Sequence, residues 1–545
     1  MVGGTALMTK GSDRSAADDP ALSQSAPQFA GAPPPAAFNL THYAIGCTAA
    51  ATPDRIALEV AATPDGDIAE RLTFRELERS ALKIGAALLS LGLEPGDRLL
   101  IKLPNTSTYA LTFFGAIAVG LIPIPASDQL TASEVTFLLD DSGARAIVGA
   151  ATEAASVTTD HDILHVTADD LATAAAKAAP ASYAATTANT PAYLIYTSGT
   201  TSKPKGVLHA HRAAWGRRPM YHGWYGLEPD DRVLHAGAFN WTYTLGTGLT
   251  DPWANGATAL VYTGPKEPDV WPRLLNRLSA TLFAAVPGLY RQMIKYAPNA
   301  VADLETLRHG LMAGEAPPPD LIPSWSQLTG RPIYEALGMS EISTYISTGP
   351  KTASRTACAG RPQPGRSVAI LSADAESDTP LQRGEEGLLA VHRSDPGLML
   401  GYWQRPDEEA QVFRGDWFVG GDLARMDHDG YVTHCGRAND VIKALGYRIS
   451  PLEVEAALLG HPAIAEVACA ELHVRDGVTI LGAFYVCRPD AAQPTPSELD
   501  RFAETCLATY KRPRHWQAID TLPRTANGKL QRARLKLVAA PGLQG

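Results

Sequence analysis

The sequence predicts an α/β protein: a large N-terminal domain of parallel or mixed sheets flanked by helices, a β-rich subdomain, and a small mobile α+β C-terminal domain. Three observations predict it. Helix and strand patterns alternate over residues 72–148 and again over 232–296, an order that lays helices on the faces of a mostly parallel sheet. Between 360 and 422 short strands are punctuated by Gly, Pro and Asp, as in a small β unit. After Tyr431 the pattern changes to helix, strand, strand, helix.

Taken in order, residues 1–36 are rich in Ala, Pro and Ser and read as a disordered leader. Lys10, Asp13 and Arg14 stand where a secretory signal would be apolar. Within 73–91, Phe74, Leu77, Ile84 and Leu88 recur at helical spacing, Thr73 and Glu76 form a capping box, and Gly92 is the stop. The strand 98–102, helix 107–120, strand 122–125, helix 133–140 and strand 146–148 follow. The apolar run 110–126 is too short for a membrane span and is broken by Gly115, Gly120, Pro123 and Pro125. A short helix near Leu171 precedes a buried strand at 192–195. The alternation continues through 232–234, 258–262, 270–278, 282–284 and 287–296. The β-rich unit carries strands at 367–371, 387–392 and 417–419. The C-terminal piece has helices at 451–459 and 495–507 around strands at 464–472 and 479–486. The expected domains are therefore 37–437 and 438–545, with a hinge near Asn439.

A chain of 545 residues, 45% of them hydrophobic, can bury more than one core. A formal charge of -10 and a pI near 5.8 speak against a nucleic-acid-binding face. The six cysteines are scattered without a CxxC pair, which fits a reducing cytoplasm.

The stretch with the most chemistry is 196–206, YTSGTTSKPKG. Glycines let successive backbone N–H groups turn toward one point, hydroxyls add neutral donors, and Lys203 and Lys205 add charge, so the loop suits phosphate oxygens. A polar surface turn has the same composition. The spacing is not that of a Walker A loop. Its position after a buried strand favours the phosphate reading, because ligands of open α/β sheets gather at strand carboxyl ends.

Three later stretches complete an ordered set: Gly338-Met339-Ser340-Glu341, Gly421-Asp422 followed by Gly436-Arg437, and Asn527-Gly528-Lys529. Together with the loop they resemble the adenylate-forming superfamily of acyl-CoA and aryl-CoA synthetases, peptide-synthetase adenylation domains and luciferases. The resemblance spans roughly residues 40–540 and points to the branch of benzoate-CoA ligases and medium-chain acyl-CoA synthetases. It implies an ATP-dependent carboxylic acid:CoA ligase that forms an acyl-adenylate and pyrophosphate, then the thioester with release of AMP. ATP, Mg²⁺ and coenzyme A are the implied cofactors and co-substrates.

The same resemblance assigns Thr197, Ser198, Gly199, Thr200, Thr201 and Lys205 to the phosphates and Gly314, Glu315 and Ala316 to the adenine. Gly338, Met339 and Ser340 lie in the motif that ends at Glu341, the implied Mg²⁺ ligand. Asp422 is implied to accept both ribose hydroxyls, which suits a two-oxygen carboxylate. Arg437 is the second nucleotide contact and Lys529 the catalytic lysine, a point charge on a flexible stem. Gly446, Tyr447 and Arg448, with Lys443, are implied to line the CoA tunnel, and Asn439 is the hinge about which the small domain turns. Ser202, Leu337 and Asn439 depart from the usual residues at their positions. His209 and His211, near the loop, carry no metal spacing and read as structural.

The implied acyl pocket comprises Phe239, Asn240, Trp241, Tyr243 and Gly246. Asn240 stands where relatives that activate amino acids carry an aspartate, so an α-amino acid is disfavoured. The three aromatics suit a benzoate-like ring or a short to medium acyl chain, or else fill the core. Only sixteen residues follow Lys529, with no carrier domain among them, so CoA is the expected acceptor. The alternatives are a stand-alone adenylation enzyme that loads a separate carrier protein, and a nucleotide-binding pseudo-enzyme. Further expected partners are a second copy in a homodimer and a lysine acetyltransferase acting on Lys529, with neither nucleic acid nor a membrane span.

Overall fold

The computed structural model describes residues 29–152, 157–197, 204–373, 376–438, 442–444, 447–475, 478–524 and 530–538. Its largest element is a nine-stranded sheet. The strands Ile56–Ala61, Thr258–Tyr262, Arg232–His235, Leu282–Ala285, His309–Ala313 and Ile333–Met339 lie side by side in that order and run parallel. Ile68–Thr73 closes one end antiparallel, and Ser343–Ser347 and Arg361–Pro362 close the other. The inner strands are mostly apolar, as in LFAA at Leu282–Ala285, because both faces are covered. On one face Trp271, Tyr290 and Trp325 join Leu234, Leu260 and Phe283; on the other Met220, Trp224, Tyr225 and Tyr243 pack on Val233, Leu282 and Leu311.

A second, four-stranded parallel sheet is ordered Ile122–Pro125, Arg98–Ile101, Ala146–Gly149, Leu164–Thr167. The helix Phe74–Ser90 starts at the expected capping box, Thr73 Oγ1 accepting from Glu76 N–H while the Glu76 carboxylate accepts from Thr73 N–H. Helices Ser107–Ala118 and Ala132–Ser142 follow as expected, the latter ending on left-handed Gly143.

The strand predicted at 192–195 needs a correction. It spans Pro191–Thr197 and belongs to neither parallel sheet; it pairs antiparallel with Lys205–Ala210, which in turn pairs with Gly401–Tyr402. The loop that follows is thus a hairpin connection, and the rule about strand carboxyl ends does not apply to it. The short apolar run AYLIY suits a hairpin strand as well as a buried parallel strand, so sequence pattern alone does not separate them.

The β-rich unit is a five-stranded antiparallel sheet in which the strand expected at 417–419 runs on through Trp417–Met426. In the C-terminal domain Ile464–Arg475 pairs antiparallel with Val478–Cys487, and His515–Ala518 adds a parallel strand that the sequence reading omits. Helices Pro451–Leu458 and Pro496–Cys506 enclose a core of Val454, Leu458, Leu481, Tyr485 and Leu499. Ser450 Oγ donates to Cys435 O at 2.6 Å, tying the start of this domain to the preceding sheet. Asn439 lies outside the described residues. At the N-terminal end, part of the expected leader lies along the body: Phe29 N–H donates to Ser394 Oγ at 2.8 Å, and the Trp215 indole donates to Ala32 O at 2.7 Å.

Candidate active site

The carboxyl edge of the parallel strands carries the predicted residues in sequence-independent order. Gly338-Met339 end the strand Ile333–Met339, Gly314-Glu315-Ala316 follow His309–Ala313, and the 239–246 segment follows Arg232–His235. Gly338 must be glycine here: a Cβ would fall 2.4 Å from Ser343 O, because the hairpin to Ser343–Ser347 closes against it. Gly314, at φ +106°, turns the chain away from its strand in a region that glycine alone enters freely. Trp241 lies beside it, its ring 3.9 Å from where a Gly314 Cβ would stand.

Glu341 sits in the tight turn between Ile333–Met339 and Ser343–Ser347, not at a helix N-terminus. Two groups from the neighbouring three-stranded sheet hold this turn. His209, 2% exposed and stacked on Tyr193 at 4.8 Å, has Nε2 2.8 Å from Ser340 O, and burial pushes its pKa down to about 4, so the neutral ring donates there. The Tyr402 hydroxyl donates to Glu341 Oε1 at 2.8 Å. Burial and the adjacent carboxylate raise the Tyr402 pKa, which keeps its proton on oxygen. His211 likewise accepts from Leu40 N–H at 2.9 Å, a structural role.

Thr197 lies opposite Lys205 at the mouth of the hairpin. The Lys205 ammonium pairs with the Glu408 carboxylate and stands 5.5 Å from the centre of the Tyr402 ring. Tyr402 therefore touches both the Glu341 carboxylate and the lysine expected to meet phosphate. Ser198, Gly199, Thr200 and Thr201, and with them Ser202, lie outside the described residues.

Asp422 is 3% exposed, with Arg437 Nε at 2.9 Å and His434 Nε2 at 3.0 Å from its Oδ1. The cross-strand register sets this up, since Asp422 lies opposite Arg437 on the paired strands Trp417–Met426 and Val432–Arg437. Met339 packs over Gly420, where a Cβ would fall 2.5 Å from its Sδ, so the Glu341 turn and the Asp422 strand are brought into contact. Leu337 packs against the cluster of Ile346 and Phe418.

The C-terminal domain reaches the same place. Arg524 bridges Glu466 of its own domain at 2.8 Å and Glu315 of the large domain at 3.6 Å, while Arg291 meets Glu466 from the other side at 3.3 Å. Arg524 and Leu530 form an antiparallel bridge. Lys529, the residue before Leu530, lies outside the described residues. Lys443 and Arg448 are register partners on the paired strands Ile442–Ala444 and Tyr447–Ile449, and Gly446 is outside the described residues.

Of the predicted acyl residues, Phe239 is 3% exposed and packs on Tyr109, and Tyr243 donates to Leu311 O at 3.2 Å from within the core. Gly246 backs onto the buried Arg217 guanidinium, 2.1 Å from where its Cβ would stand, and Arg217 is held by Asp251 at 2.7 Å. Asn240 Oδ1 is buried without a hydrogen-bond partner. Tyr402, Glu408, His434 and Arg524 were not singled out from the sequence. His434 had one available signal, being three residues before Arg437 in a strand opposite Asp422; Tyr402 lies 61 residues from Glu341 and had none.

This geometry coincides with known proteins over most of the chain. The family described as AMP-binding enzyme matches residues 47–403, and that described as AMP-binding enzyme C-terminal domain matches 453–529. A benzoate-CoA ligase of Thauera aromatica is 32% identical over 490 residues, 86% of this chain and 91% of that protein. The solved structure of a benzoate CoA ligase from Burkholderia xenovorans LB400 superposes with a TM-score of 0.81 at 28% identity, covering 92% of this chain and 100% of that one. That of an anthranilate CoA ligase in complex with anthranoyl-AMP gives 0.82 at 25% identity, over 93% and 98%. With both parts matched in order and these relatives aligned nearly end to end, the chain belongs to the AMP-binding enzyme family.

Proposed function

We propose that the protein is an ATP-dependent carboxylic acid:CoA ligase that acts on an aromatic or medium-chain acid through an acyl-adenylate. The observation that carries the reading is the convergence of Glu341, the Asp422–Arg437 pair and the Arg524–Glu315 contact on one sheet edge.

An oxygen of the acid's carboxylate attacks the α-phosphorus of ATP, and the bond to pyrophosphate breaks. The CoA sulfur then attacks the acyl carbon and AMP leaves. Both partners in the first step are anions, so donors and cations matter more than a base. Asp422 suits the ribose diol, with Arg437 and His434 keeping its carboxylate oriented. Lys205 has a phosphate-directed charge held ready by Glu408. Lys529, in the Asn527-Gly528-Lys529 motif, supplies the charge on a flexible stem that meets the two anions.

For Mg²⁺, the donor set fits a metal shared with substrate. Glu341 presents one carboxylate, steadied by a neutral hydroxyl rather than neutralised by a cation. Among the described residues no cluster of three or more His, Cys, Asp or Glu stands ready to hold a metal by itself. Mg²⁺ characteristically binds through one or two carboxylates plus phosphates, where it offsets phosphate charge. A cytoplasmic location is supported by six free cysteines. No helix among the described residues is long and apolar enough to cross a membrane.

The test is a panel of carboxylates with ATP, Mg²⁺ and CoA, scored for acyl-CoA, AMP and pyrophosphate. Equal yields of the three with an aryl or medium-chain acid are expected. Release of ADP, or preference for an α-amino acid, would overturn the reading.

A further inference from the structure

The nine-stranded sheet has a second feature on its carboxyl edge. Between the ends of Arg232–His235 and Thr258–Tyr262 lies a small recess lined by Asn105, His235, Phe239, Tyr262, Lys266 and Trp271, among others. Three of the lining residues each bury a polar atom without a hydrogen-bond partner among the described residues: His235 Nε2, Tyr262 Oη and Trp271 Nε1. Their residues are 8%, 3% and 2% exposed. A buried polar group left unpaired is destabilising, and three such residues around one recess mark a place built for something to be bound.

These three residues offer donors. Gly237 N–H donates to His235 Nδ1 at 2.9 Å, so the proton of the neutral ring is on Nε2. Burial pushes His235 down to about 3, so the ring is neutral at physiological pH. Trp271 Nε1–H can only donate, and the Tyr262 hydroxyl donates or accepts. The Lys266 stem borders the same space. The atom that satisfies this set is an acceptor oxygen. Size limits it further: about 10 Å³ is open to the centre of a water-sized atom, room for a single oxygen.

Strand order says what delivers that oxygen. The nucleotide residues end His309–Ala313 and Ile333–Met339, the acyl segment follows Arg232–His235, and the recess lies one step beyond, toward Thr258–Tyr262. Neighbouring strands are about 4.8 Å apart, so the recess is on the side of the acyl segment away from the nucleotide. Phe239 belongs both to that segment and to the recess wall, and the His235 ring meets Tyr243 edge-on at 4.4 Å. We propose that this recess is a specificity subsite for a single hydroxyl or carbonyl oxygen carried by the acid at the end remote from its carboxylate. The proposal rests on the acid-activating reading above.

The experiment compares benzoate with its 3- and 4-hydroxy and 3- and 4-methyl derivatives in acyl-CoA formation, using the intact protein with ATP, Mg²⁺ and CoA. The readout is the ratio of kcat/KM for hydroxyl over methyl at the better ring position. Wild type is expected to favour hydroxyl about 10-fold or more, because a methyl group leaves the donors unpaired. Tyr262→Phe and Trp271→Phe, each checked for an intact thermal transition, are each expected to bring that ratio at least about threefold closer to one. A wild-type ratio at or below one, or a ratio unchanged in both variants, would overturn the proposal and leave the recess as a water site. Turnover of benzoate without a hydroxyl preference sinks the subsite alone; no turnover of any of these acids, with CoA ligation of other acids or none, sinks the subsite together with the aromatic reading.

Discussion

The two ends of one sheet edge are built in opposite ways. Around Glu341 the charged groups have partners within the protein, Tyr402 on Glu341, Glu408 on Lys205, Arg437 and His434 on Asp422, Arg524 on Glu315, although neutral atoms beside them, His209 Nδ1 and Tyr345 Oη, do not. Around Tyr262 the buried groups are neutral, and His235, Tyr262, Trp271 and, nearer the acyl segment, Asn240 each bury an atom without a partner among the described residues. The difference follows from what each end must meet. ATP is the same in every turnover, so charges that receive it can be oriented beforehand by pairs such as Asp422–Arg437, and preorganisation of that kind is where electrostatic catalysis gains most. The acid is what such an enzyme must tell apart, and unsatisfied donors discriminate because only the right partner completes them.

The comparison breaks most sharply at Lys529. Lys529→Ala should lower acid-dependent pyrophosphate release by about 100-fold or more, while CoA attack on a supplied acyl-adenylate is much less affected. Unchanged pyrophosphate release would remove Lys529 from the nucleotide end. Acetylating Lys529 enzymatically should give a loss of the same size, since it removes the same charge.

Tyr402→Phe probes the same end more gently. It deletes one hydroxyl that orients Glu341 and should reduce kcat/KM for MgATP by about 10-fold, with the ratio of rates between two different acids unchanged. If the preference among acids shifts instead, the two ends are not separable. Tyr262→Phe is the mirror experiment, altering preference among acids with little change in the KM for ATP.

The last effect is on stability rather than on rate, and concerns the turn that carries Glu341. Burial holds His209 near 4, below the roughly 6.5 of an unfolded histidine. The unfolded chain therefore takes up a proton first as pH falls, and stability declines between about pH 6.5 and 4 while staying level above that window. One such histidine accounts for about 2 kcal/mol at pH 5. His209→Gln, which keeps a donor for Ser340 O, should flatten the pH dependence of urea unfolding by about that amount. An identical slope in both proteins would show that His209 is not held neutral.

Much of this was legible in the sequence, and the reasons are local. Thr73 and Glu76 sit three apart and cap their helix directly, and fully apolar runs such as 282–285 mark strands covered on both faces. The motif residues were found because their order along the chain is distinctive. What escaped depended on register and on contacts far apart in sequence. The strand Pro191–Thr197 was placed in the wrong kind of sheet, since a hairpin and a parallel strand share one hydrophobic pattern. Tyr402 meets Glu341 only because Gly401–Tyr402 pairs with the strand Lys205–Ala210. The donor recess draws on Asn105, His235, Tyr262 and Trp271, and its common property, the lack of partners, is not written in any of those letters.

The most direct test of the whole account is acid-dependent exchange of labelled pyrophosphate into ATP, measured with the full chain in the absence of CoA. The account predicts exchange with benzoate-type or medium-chain acids, at a KM for ATP that stays nearly the same across acids while kcat/KM for the acids varies widely. No exchange with any such acid, or exchange driven by α-amino acids, would contradict it.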